Sequence, residues 1–217
     1  MSLFYIAYHF LLLIGLCLGI YVIRKGNKKY KFITWLLGIT LFVELLAEVL
    51  IKIKIEFVWA YHLYTPFNYA LLALHFKQFF VNKGVKKAVN ISIMVFFIFS
   101  YSLSILLYNL TDFPGLIITV DGLLIVIICV YYLLNINPED EKVFFRNANV
   151  WISIGLIFFF GGTSFFNGVY TKLFELDKGT ALQLFGIINK PLNILLYSSI
   201  NIGLLCLAVR KKSIILQ

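Results

Sequence analysis

The stretch Gly115-Leu116-Ile117-Ile118-Thr119-Val120-Asp121-Gly122-Leu123-Leu124-Ile125-Val126-Ile127-Ile128-Cys129-Val130-Tyr131-Tyr132-Leu133-Leu134-Asn135 holds a single charged side chain, Asp121. A helix needs about 20 mostly apolar residues to cross the hydrocarbon core of a bilayer, and this run meets that length. It shows none of the alternation that a membrane strand would carry. Six further runs qualify in the same way, over 3–23, 32–52, 57–80, 88–109, 148–170 and 181–209. The expected fold is all-α, one polytopic domain of seven transmembrane helices spanning 1–217. Lipid demands this form, because every backbone polar group must find its partner inside the span.

Composition agrees. Of 217 residues, 61% are hydrophobic and 13% charged, with a mean hydropathy of +0.93. Soluble domains are about half apolar and about a quarter charged. A water-soluble enzyme, a secreted disulfide scaffold and a disordered chain are thereby excluded. Cys17, Cys129 and Cys206 all lie in apolar runs, which argues against a disulfide framework. The formal charge of +9 belongs to short loops, where basic residues orient helices and touch anionic headgroups, so no nucleic-acid partner is expected. Met1-Ser2 offers no basic region of a signal peptide.

The basic residues also predict orientation. Arg24, Lys25, Lys28, Lys29 and Lys31 follow the first run, Lys77, Lys83, Lys86 and Lys87 the third, and Lys142 and Arg146 the fifth. Arg210, Lys211 and Lys212 close the chain, whereas the remaining loops carry only Lys52, Lys54, Lys172 and Lys178. The positive-inside rule then places the N-terminus outside and the C-terminus inside, in a multi-pass protein of the cell membrane. Between the fifth and sixth runs, Asn137-Pro138-Glu139-Asp140-Glu141 reads as the start of a short surface helix, with Asn137 as its cap.

Polar residues inside the runs fall on narrow stripes. Thr40, Glu44 and Glu48 share one side of the second helix, and Tyr61, Thr65, Asn68 and His75 one side of the third, with His62 at its edge. Asn149, Ser153, Ser164 and Asn167 align on the sixth helix, and Gly186, Asn189, Asn193 and Tyr197 on the seventh, beside Lys190. An Asp or Lys at a helix centre costs about 2.5–3.5 kcal/mol on insertion scales, so these stripes are expected to face one another. They predict a polar cavity reaching from the outer side to the middle of the membrane. Its candidate ligand-binding residues are Glu44, Glu48, His62, Asn68, Asp121, Asn167, Lys190 and Asn193.

Two local patterns bear on architecture. Pro66-x-Asn68-x-x-Leu71 recurs as Pro191-x-Asn193-x-x-Leu196, each in a span running inward. A parallel repeat of three helices, a linker helix and three helices would produce this. Gly15 and Gly19 form a GxxxG pair, which suits close packing within the bundle or in a homo-oligomer. No spacing characteristic of a metal site is present, and no catalytic set or cofactor is read.

Tyr64-Thr65-Pro66-Phe67-Asn68-Tyr69, Trp151 and the stretch from Asn193 to Cys206 resemble those of small bacterial seven-helix membrane proteins related to the membrane input modules of sensor histidine kinases. That resemblance implies a sensor or receptor-like accessory protein, binding a small or lipidic ligand among membrane lipids and acting through a membrane or cytoplasmic signalling partner. Asn68 and Asn193 also resemble the asparagine pair of three-plus-one-plus-three sugar transporters, which implies transport of a small solute. The first, second, fifth and sixth runs depart from that pattern in lacking central prolines. Lys190 on the last helix resembles the retinal lysine of rhodopsins, but the third run has no acidic counter-ion. The helix count resembles that of alkaline-ceramidase-like hydrolases, without their paired histidines, which leaves an intramembrane lipid-modifying enzyme as a third reading.

Overall fold

The computed structural model describes residues 3–108, 110, 112–136 and 144–209. Among these the chain forms α1 (Leu3–Arg24), a 3-10 turn (Lys28–Tyr30), α2 (Lys31–Lys52), α3 (Trp59–Lys77), α4 (Lys83–Leu106), α5 (Gly115–Leu134), α6 (Ala148–Leu176) and α7 (Lys178–Val209). No strand occurs among the described residues. The short helix expected at 137–141 and the basic tail from Arg210 lie outside them.

By length and composition, α1, α2, α4, α5 and α7 can each cross a membrane. The apolar part of α6 is the shorter Ala148–Ser164. Helix α3 carries His62, Thr65, Asn68 and His75 on its buried side and is not among the five.

Local chemistry sets the helix ends. Gly26 turns the chain after α1 at a φ of 105°, a conformation glycine adopts without steric cost. Asn82 caps α4 by accepting from the N–H of Gly84 at 2.7 Å, and Asn147 caps α6 by accepting from Asn149 at 3.0 Å. Asp177 ends α6 and starts α7, accepting from the N–H groups of Gly179 and Thr180 and from the Thr180 hydroxyl. Those bonds, the hydroxyl first, hold the Asp177 carboxyl below its usual range.

Packing closes a ring. Helix α1 lies against α2, α2 against α3, α3 against α5, α5 against α6, α6 against α7, and α7 returns to α1. Helix α4 stands apart from this ring, packed on α3 and touching α5 only at its edge. At 29 and 32 residues, α6 and α7 are about 44 and 48 Å long at 1.5 Å per residue, well beyond the hydrocarbon thickness. Their connecting ends form a small apolar cluster of their own around Phe166 and Ala181.

Small residues let the helices approach. Gly15 abuts the Asn201 side chain and Gly19 abuts Thr34, so the GxxxG pair is spent within the bundle. The seam between α6 and α7 is less forgiving, because a Cβ on Gly203 would lie 2.6 Å from the Ala148 carbonyl oxygen, a backbone atom that cannot swing aside. Gly203→Ala is therefore expected to lower stability by about 1–3 kcal/mol, the usual cost of overpacking. Gly161→Ala, with nothing within 4 Å of the added carbon, should leave the melting temperature in detergent unchanged or slightly raised.

Candidate functional site: a cavity inside the six-helix ring

The ring encloses a cavity of about 400 Å³, lined by all six of its helices and by none of α4. Most of its lining comes from the halves of the helices nearest the start of α1. Phe57, Tyr61, Phe113 and Phe185 stand toward that end. Leu36, Leu72, Leu156, Leu196 and Ile200 form an apolar floor. Polar groups converge between these two layers.

Six of the eight expected residues line the cavity: Glu44, Asn68, Asp121, Asn167, Lys190 and Asn193. Asn68 bridges the two sides of the ring, its Nδ2 donating to Oδ2 of Asp121 at 3.1 Å. Asp121 is 2% exposed, and its second carboxylate oxygen has no hydrogen-bond partner. Asn193 instead donates back to the Asn189 carbonyl of its own helix at 2.9 Å. Glu44 is half-buried and Lys190 exposed.

Glu48 and His62 fall outside the cavity lining. The Tyr5 hydroxyl donates to Glu48 at 2.9 Å, and Lys52 closes an ion pair with it at 3.0 Å. One helical turn beyond Glu44, the second carboxylate thus meets α1 and a cation instead of the cavity. His62 is 1% exposed, with Nδ1 against the Ser104 hydroxyl at 2.8 Å and Nε2–H donating to the Asp112 carbonyl at 3.0 Å. Its bonds tie α3 to α4 and to the segment before α5, a structural duty that turns it away from the ring interior.

The sequence reading missed the contribution of α1. Tyr8 lines the cavity beside Tyr197, ring centroids 5.4 Å apart. Tyr64 of α3 lines it too, sharing a hydrogen bond of 2.7 Å with Thr40. The only signal for Tyr8 was its spacing from Tyr5 and His9, and tyrosines near a helix end ordinarily read as an interfacial belt.

Beyond the floor lies a second polar layer. Nε2 of His75 meets Oδ1 of Asn149 at 3.0 Å, and Ser153 is buried beside them on α6. A second cavity of about 850 Å³ opens there, lined by Tyr30, Phe79, Tyr132, Arg146, Asn149 and Cys206 among others. Lys25 donates to the Ala208 carbonyl at 2.7 Å, fastening the loop after α1 to the last turn of α7. No family model, curated protein or solved structure matches the chain.

Proposed function

We propose that the chain is a seven-span protein of the cell membrane, N-terminus outside and C-terminus inside, that binds a small or lipidic ligand from the outer side. It acts as a receptor-like or accessory protein and passes the bound state to a separate membrane or cytoplasmic partner. The observation that carries this reading is the convergence of Glu44, Asn68, Asp121 and Asn193 from four helices on one cavity with an apolar floor. Buried polar groups are costly unless partnered, and pockets with a few convergent polar groups among aromatic walls are the usual form of a ligand site.

The ring order supports a three-plus-one-plus-three repeat. The third helix of each unit packs on the first helix of the other, α3 on α5 and α7 on α1, while α4 connects the units from outside the ring. Asn68 and Asn193 then fall on the third helix of each unit. Transport of a small solute is the second reading, favoured by the second cavity across the floor.

Cysteine accessibility tests both readings. In a background with the native cysteines replaced by alanine, Ala47→Cys on the cavity wall should react with a membrane-impermeant maleimide added outside. A variant keeping Cys206 alone, on the second cavity, should react only from inside. The opposite pattern would reverse the orientation and remove the outer-facing reading. For a transporter, Leu156→Cys in the floor should become reactive from both sides; for a receptor it should stay protected from the inner side.

A further inference from the structure

Two ionisable side chains of opposite sign line the cavity and form no ion pair among the described residues. Glu44 on α2 and Lys190 on α7 both line it. Neither joins an ion pair among the described residues, where the pair that forms is Lys52 with Glu48. The Tyr8 hydroxyl donates toward Glu44 and His9 lies within electrostatic reach of it, the His9 Nδ1 donating to the Tyr5 carbonyl at 3.0 Å.

The rest of the lining mixes acceptors and aromatic rings with hydroxyl and amide groups. Asn68 spends its Nδ2 on Asp121, which leaves its carbonyl oxygen as the group it can offer an occupant. Asp121 adds a buried carboxyl with one oxygen unpartnered. Tyr8, Tyr64, Phe160 and Tyr197 complete the walls. Acidic and acceptor groups among aromatic faces suit an ammonium, which gains from both the charge and the ring quadrupoles. The ammonium of Lys190 suits a carboxylate. A half-buried carboxylate outside any ion pair is costly, and a ligand ammonium would relieve it while the ligand's carboxylate meets the exposed Lys190.

We infer that the cavity takes a zwitterionic amine with an apolar side group, of the aromatic α-amino-acid class, its ammonium at Glu44 and the Asn68 carbonyl and its carboxylate at Lys190. This rests on the ligand-binding reading above. The volume of about 400 Å³ lies within the usual span of about 300–1,000 Å³ for small-molecule pockets.

The test uses the full chain in lipid nanodiscs at about pH 8, where an imidazole is ordinarily neutral. Calorimetry compares L-phenylalanine with phenethylamine, which lacks the carboxylate, and 3-phenylpropionate, which lacks the ammonium. Phenylalanine should bind tightest and 3-phenylpropionate weakest. Lys190→Gln should weaken phenylalanine about fivefold, the low end for a charge-assisted bond at an exposed group, and leave phenethylamine unchanged. Equal affinity for the three probes, or an equal loss of phenylalanine and phenethylamine in Lys190→Gln, overturns the zwitterion while leaving the cavity reading in place. Failure of all three to bind also overturns it; the cavity reading falls as well only if Ala47→Cys resists the external reagent. An unchanged melting temperature shows that Lys190→Gln folds.

Discussion

Asn68→Leu is expected to destabilise the protein by about 2–3 kcal/mol, because it strips Asp121 of its one hydrogen bond. The usual bond between membrane helices is worth less, about 0.6 kcal/mol on average, since a freed polar group often finds another partner. Asp121 has no such alternative among the described side chains: its other oxygen is already unpartnered and the residue is 2% exposed. Removing both polar groups should cost less than removing one. The double variant Asn68→Leu with Asp121→Leu leaves no orphaned carboxyl, and buried polar pairs replaced together by apolar groups are often close to neutral. Unfolding titrations in mixed micelles measure the cycle. A double variant that loses the sum of the two single losses would show that the pair is not coupled, and Asn68 would then matter only through its contacts with the cavity wall.

The helical frame was legible because its cause is local. The run over 115–135 became α5 at Gly115–Leu134 and the run over 181–209 became α7 at Lys178–Val209, since apolar length and helical hydrogen bonding decide both. Periodicity also placed side chains well where one helix faces the ring interior: Gly186, Asn189, Asn193 and Tyr197 all line the cavity. Helix α6 runs past the expected residue 170 to Leu176, because the bilayer limits the apolar stretch and not the helix, which ends only where Asp177 takes over as a cap. What a stripe cannot show is the neighbour opposite it. His75 shares its stripe with Asn68 yet meets Asn149 below the floor, and Glu48 shares one with Glu44 yet meets Tyr5. A periodic pattern gives the direction of a side chain from its own axis; the identity of the group it reaches depends on ring order and on tilt, which are set by contacts between distant segments such as Gly203 against Ala148.

The two glutamates of α2 should accordingly behave as different residues. Glu44→Gln is expected to weaken phenethylamine about tenfold or more, because a hydrogen bond to a charged group is worth about 1.5–3 kcal/mol and tenfold corresponds to about 1.4. Glu48→Gln should change that affinity by less than about twofold. Its carboxylate is already matched by Lys52 at 3.0 Å and by the Tyr5 hydroxyl, so its net field in the cavity is small. Removing the charge at Lys212, in the tail beyond the described residues, should have no effect on binding. Calorimetry on the three variants in nanodiscs distinguishes contact from field. Comparable losses at Glu44 and Glu48 would mean that the ligand senses the summed charge of the outer end of α2, and no single carboxylate would then qualify as its partner. A loss confined to Glu48 would move the binding site out of the ring, to the cleft between α1 and α2 where Tyr5 and Lys52 meet it.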